Sequence, residues 1–112
     1  MINVTIHRKS KSILSFVVSG HAFFADRGKD IVCAGASAVV VGAINAVHAI
    51  TGVTPEIHQE DGFLSCKLPS NLDEATSKKV QLLLEGMVIS LQTIEQEYGK
   101  NIKITFKKQE VE

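Results

Sequence analysis

GHAFFADRGKDIVCAGAS, residues 20–37, is the stretch across which the chain changes its period. Before it, apolar residues alternate with polar ones; after Asp30 they run almost without a break from Ile31 to Ile50. Alternation marks a half-buried strand, and a long apolar run rich in Ala and Gly and stopped by Gly52 marks a buried helix. Between the two patterns lies a polar, glycine-containing loop, Gly20–Asp30, with a histidine near its start and a cysteine just past its end. If that loop folds back, strand end and helix start meet around His21 and Cys33.

Outward toward the N-terminus, Ile2, Val4 and Ile6 alternate with Asn3, Thr5 and His7. Residues 2–8 read as a strand, Arg8–Lys11 as a tight turn, and Ser12–Ser19 as a second strand with Leu14, Phe16 and Val18 on its apolar face. Outward toward the C-terminus, Thr54–Glu60 and Phe63–Leu68 flank Asp61-Gly62, a strong hairpin signal. Pro55 puts the first of these strands at an edge or at a strand entry. Ser70-Asn71 offers a helix cap, with Glu74 three residues after Asn71 in a capping-box pattern. Leu72, Ala75, Leu82, Leu83, Val88, Leu91, Ile94 and Tyr98 keep helical spacing up to Gly99, and Ile102, Ile104 and Phe106 alternate in a last strand. The order ββαββαβ predicts an α+β fold: a five-stranded mixed sheet, mostly one-faced, with two helices packed on it. At 112 residues, 45% of them hydrophobic, residues 1–112 form one domain able to bury a core.

The composition excludes several roles. Net charge is zero, with 12 basic and 12 acidic residues, so no basic stripe offers itself to nucleic acid. One Tyr and no Trp leave few platforms for stacking bases. The N-terminus begins directly as a strand, without a signal peptide pattern. Two cysteines do not make a disulfide scaffold, which suits a reduced, cytoplasmic protein. Ile31–Ile50 has the length of a membrane span, about 20 apolar residues. Ser37, Asn45 and His48 interrupt it, however, and its Ala and Gly content points to a core helix and to no membrane contact. Val39, Val40, Val41, Ile44 and Val47 leave that helix little polar face, while Ala34, Ala38 and Gly42 form a row of small residues that a second helix can approach closely. A homodimer through this helix is the expectation.

Cys33 sits where a polar loop becomes a helix, and the positive end of the helix dipole favours a thiolate there. The competing role is that of a small buried hydrophobe. His21, at the end of the second strand, reaches Cys33 as base and later as acid if the loop folds back; otherwise it is a solvated loop residue. Asp30 is either the helix N-cap or the group that orients the histidine. Ser37, one turn beyond Cys33, hydrogen-bonds into the site or back onto its own helix. Backbone amides of Cys33, Ala34 and Gly35 are candidate oxyanion donors. Gly20 and Gly28 let the loop bend, and Phe23-Phe24 either anchors it to the core or helps to form a substrate subsite. Cys66 alternates with Leu64 and Leu68 and reads as core. His21, Asp26, Asp30 and Cys33 include acceptable zinc ligands, but no CxxC, HxxxH or HExxH spacing accompanies them, so neither metal nor other cofactor is expected.

Gly20-His21-Ala22 followed by Asp30-Ile31-Val32-Cys33-Ala34-Gly35-Ala36-Ser37 closely resembles the signature of the ribosomal-processing cysteine protease family, Prp. Glu85-Gly86-Met87 and Ser90-Leu91-Gln92-Thr93-Ile94-Glu95 in the second helix resemble it too. The resemblance spans essentially the whole chain. It implies a homodimeric bacterial cysteine endopeptidase that removes the short N-terminal extension of large-subunit ribosomal protein twenty-seven after a Phe-Phe pair. By the same resemblance His21 is the catalytic histidine, Cys33 the nucleophile, Asp30 and Ser37 the signature aspartate and serine, and the loop between the pair mobile. Phe23-Phe24-Ala25 is itself similar to the family's cleavage sequence. The alternative from another class is a non-catalytic dimeric module that binds a ribosomal or assembly partner.

Overall fold

A computed structural model describes residues 1–109; the last three residues of the expected 1–112 domain lie outside it. Seven elements follow the expected order: β1 (Ile2–Lys9), β2 (Ser12–Ser19), α1 (Ile31–Thr51), β3 (Glu56–Glu60), β4 (Phe63–Lys67), α2 (Glu74–Tyr98) and β5 (Ile102–Gln109). The five strands make one sheet in the order β3-β4-β2-β1-β5. β1 and β5 run parallel and the other neighbours antiparallel, so the sheet is mixed, as the family resemblance implies. β3 is an edge strand and Pro55 stands immediately before it, where a missing N–H costs no ladder bond.

One face of the sheet carries Ile2, Val4, Ile6, Phe16, Leu64, Cys66, Ile102 and Ile104, all buried. Against it lie Val32, Ala36, Val40 and Val47 of α1 and Val80, Leu84, Met87, Val88 and Leu91 of α2. The helices also pack on each other: a Cβ at Gly35 would stand 3.7 Å from Ile94 Cδ1, a close but ordinary approach. α1 is long and apolar enough to cross a membrane by length and composition, yet its Val32–Val47 side is built into this core. Its other side, with Ala34, Ala38, Val41, Gly42 and Asn45, is exposed.

Three local expectations need correction. Near the start of β2 the buried residue is Ile13, 1% exposed, and not Leu14. The pairing passes from His7↔Ser15 to Arg8↔Ile13, so Leu14 is the extra residue of a bulge, which reverses the alternation beyond it. The side-chain amide of Gln81 closes that bulge from α2, accepting from Ile13 N at 2.7 Å and donating to Ile13 O at 2.9 Å. Second, Ser10 takes the left-handed conformation (φ 56°) between β1 and β2, so the turn narrows to Ser10-Lys11. Third, α2 is capped by Asp73 and not Asn71: Asp73 Oδ2 accepts the Thr76 amide at 3.1 Å. Leu72 packs against the core just ahead of the cap, so the chain turns into the helix only after it.

Arg8 keeps to the helix-facing side of β1 and meets Glu85 of α2 through two hydrogen bonds, 2.6 and 2.7 Å. Hydrogen bonding to Arg8 is the largest influence on the Glu85 carboxyl and holds it below its ordinary range, against the opposing pull of burial. The paired geometry ties the far end of β1 to the middle of α2.

Candidate active site

Asp30 decides where the site begins. It is 8% exposed, and among the described residues it is the charged side chain buried in the fold. Its Oδ1 accepts the amides of Val32 and Cys33, each at 3.0 Å, which makes it the N-cap of α1. Its Oδ2 accepts the amides of Phe24 (3.0 Å) and Ala25 (3.3 Å), so the same carboxylate gathers the loop that precedes the helix. Burial pulls the Asp30 carboxyl upward, but the amides of Cys33, Ala25, Phe24 and Val32 together outweigh it and leave it below the usual carboxylate range. Of the two roles open to Asp30, its partners are those of a cap: backbone amides, not an imidazole.

Cys33 lies in the first turn of α1, half-buried. The hydrogen-bond partner of its Sγ is the backbone N–H of Ala22, at 3.3 Å. The loop thus turns back, and the residue after His21 touches the sulphur. Amides at Cys33, Ala34 and Gly35 do not behave as the expected oxyanion donors. That of Cys33 is taken by Asp30 Oδ1 and that of Ala34 by the Asp30 carbonyl at 3.0 Å. Gly35, the next residue, belongs to the internal ladder of the helix. The amide left facing the sulphur is that of Ala22.

His21 is exposed and leans on the β3–β4 turn. A Cβ on Gly62 would stand 2.8 Å from His21 Nε2, so any larger residue there would push the ring from its place; Gly62 is also left-handed (φ 72°). Gly20 (φ 88°) donates its N–H to Gly62 O at 2.8 Å, hooking the end of β2 to the same turn, and a Cβ there would collide with the Met1 carbonyl. Asp61-Gly62 was legible as a hairpin turn, but nothing in the sequence said that the turn forms the histidine's wall.

His21, Cys33, Ser37 and Asp61 line two cavities at once. One, about 440 Å³, runs between α1 and β4 and is walled by Ile2, Val18, Val40 and Leu64 among others. The other, about 550 Å³, lies under the loop against Phe23, Arg27, Gly28 and Asp30. The thiol and the imidazole stand where the two join. Phe23 and Phe24 part company: Phe24 meets Tyr98 of α2 edge to face (centroids 5.3 Å apart), whereas Phe23 is 78% exposed, left-handed (φ 54°) and 6.1 Å from the His21 ring centroid. Phe24 is therefore the anchor of the loop, and Phe23 alone borders a cavity. Gly28 (φ 87°) has open space around it. Across the mouth Arg27 pairs with Asp61 at 3.4 Å, both well exposed.

A second residue that sequence reasoning missed is Asn101, in the turn between α2 and β5. Its Nδ2 donates to Ala22 O at 2.9 Å. Cys66 is buried as expected, and burial pushes its thiol up to about 11, which leaves Cys33 as the reactive cysteine.

A half-buried thiol at a helix start, lining the same two cavities as an exposed imidazole, is equipped for nucleophilic attack on an extended peptide. The chain matches the family model of the cysteine protease Prp over residues 1–103. It is 47% identical over 108 residues to the ribosomal processing cysteine protease Prp of Bacillus subtilis, covering 94% of this chain and 96% of that one. To the Staphylococcus aureus protein of the same name it is 39% identical over 109 residues, covering 95% and 97%. The crystal structure of the essential ribosomal processing protease Prp from S. aureus, in complex with a covalently linked product peptide, superimposes with a TM-score of 0.86 at 40% identity, covering 96% of this chain and all 100% of that one. Matched along nearly its whole length in sequence and in fold, this chain belongs to the Prp family of cysteine proteases.

Proposed function

We propose that the chain is a cytoplasmic endopeptidase that removes the N-terminal extension of large-subunit ribosomal protein twenty-seven, cutting after a Phe-Phe pair. Cys33 Sγ attacks the carbonyl of the second Phe, and His21 takes the thiol proton and passes it to the departing amine. Water then hydrolyses the acyl-enzyme, with His21 as base, and restores the thiol. The observation that carries this reading is the junction of two cavities at His21 and Cys33: a bound chain crosses the thiol with one side in each. The apolar walls of the α1–β4 cavity, Val18, Val40 and Leu64, suit an aromatic pair. Further support comes from the relatives, which are named ribosomal processing proteases, and from the covalent product peptide in the S. aureus complex, a state a thiol nucleophile passes through.

Two such chains pair in this reading through the exposed face of α1. Ala34, Ala38 and Gly42 lie at helical spacing on it, and a Cβ at Gly42 would meet nothing within 4 Å. A monomeric mass in sedimentation at micromolar concentration rules the pairing out. The activity is tested with a peptide spanning the Phe-Phe site of the ribosomal protein from the same genome. Cleavage after Phe-Phe, lost in both Cys33→Ala and His21→Ala, is the expected result; cleavage that persists in Cys33→Ala means another nucleophile.

A further inference from the structure

We propose that Asn101 is a positioning residue for the nucleophile, holding the Ala22 N–H on Cys33 Sγ by gripping the Ala22 carbonyl. The inference rests on the reading of Cys33 as nucleophile. Ala22 is 2% exposed, whereas His21 and residues 23–29 around it are all exposed, so Ala22 is the residue of this stretch that enters the core. Ala22 has no polar side chain, and both of its backbone groups are committed: N–H to the sulphur at 3.3 Å and C=O to Asn101 Nδ2 at 2.9 Å.

Asn101 is well held. Its own N–H donates to Tyr98 O and its C=O accepts from Ile2 N, each at 2.8 Å, so it joins the end of α2 to the start of β1. Those two bonds are made by backbone, which leaves the side-chain amide free to serve Ala22. The side chain that approaches a carbonyl must do so with its NH₂, and that orientation is the one present. A backbone amide aimed at a nucleophilic sulphur holds it in place, and the donor helps only if it is itself fixed before the reaction. Its neighbours are tied elsewhere, Gly20 to Gly62 O and Phe24 and Ala25 to Asp30, and none of those bonds holds the Ala22 peptide itself. Asn101, 79 residues away, supplies the constraint.

The test uses Asn101→Asp and Asn101→Ala in the full chain, with folding checked by circular dichroism. Asp has the shape of Asn and keeps both backbone bonds, but it offers the Ala22 carbonyl no donor. Two measurements are made: kcat and KM on the Phe-Phe peptide, and the rate of Cys33 alkylation by iodoacetamide at neutral pH. Cys66, 1% exposed, does not compete for the reagent. We expect kcat about 10- to 100-fold lower, KM within about threefold of wild type, and alkylation several-fold slower. A kcat within about twofold of wild type in folded Asn101→Asp overturns the proposal. So does faster alkylation, because a loop merely loosened exposes the thiol, whereas a lost donor weakens it. The alkylation arm needs no substrate. If the wild-type chain leaves the peptide intact while Asn101→Asp slows alkylation, the substrate assignment fails and the positioning role stands.

Discussion

The contact between Gly62 and His21 is the sharpest place to test whether the imidazole is held where the chemistry needs it. In Gly62→Ala the new methyl would lie 2.8 Å from Nε2 and 3.4 Å from both Cδ2 and Cε1 of His21. The ring has to retreat by about half an ångström, and misplacement on the ångström scale costs on the order of 100-fold in rate, so a kcat/KM about 10- to 100-fold lower is expected. The substitution also forces a side chain onto a left-handed residue (φ 72°). That conformation costs about 1 to 2 kcal/mol and lowers Tm by roughly 4 to 16 °C for a domain near this size. Gly52→Ala separates the two effects. Gly52 is equally left-handed (φ 76°), but a Cβ there meets nothing within 4 Å. Both variants should lose comparable stability in urea titration, and only Gly62→Ala should lose activity on the Phe-Phe peptide. Equal activity in the two variants, both folded at the assay temperature, would refute the role given to Gly62. The imidazole would then find its working position without that wall.

Acid stability should report Asp30. Its carboxyl is lowered in the folded state, so the unfolded chain binds this proton more readily. The stabilisation is complete above the ordinary carboxylate value of about 4 and is lost as pH falls through the lowered native value. Asp30→Asn should flatten the fall of urea stability below about pH 5, leaving the contributions of Glu85 and Asp73, which are lowered in the same direction. A slope identical to wild type contradicts the four-amide cage. For the Arg8–Glu85 pair, Glu85→Gln should cost about 1 kcal/mol, a figure discounted for solvent because the Glu85 side chain is 40% exposed, with kcat/KM unchanged. A loss of activity larger than the loss of stability would mean that α2 transmits strain to the site.

Much of the fold was legible because its signals are local. Alternation in β1 and β5, the Asp61-Gly62 turn, the Gly52 stop and the Asp30 cap each depend on a few neighbouring residues, and each appears in the structure. The Leu14 bulge was not legible, since a one-residue slip depends on which partner β1 offers across the sheet and on the Gln81 amide that closes it. The cap of α2 moved from Asn71 to Asp73 for a related reason: where Leu72 packs is a tertiary matter.

The same division runs through the active site. Sequence alone determined the chemical parts: a cysteine at a helix start, a histidine at a strand end, and an aspartate between them. These follow from residue type and spacing, which short-range sterics and hydrogen bonding convert into structure. Only the tertiary structure decided what surrounds those parts. It set Gly62 against His21, gave the Cys33 and Ala34 amides to Asp30, and brought Asn101 to Ala22 across 79 positions of chain. Such contacts depend on how the sheet edge, the loop and the end of α2 converge, and burying a common core is what brings them together.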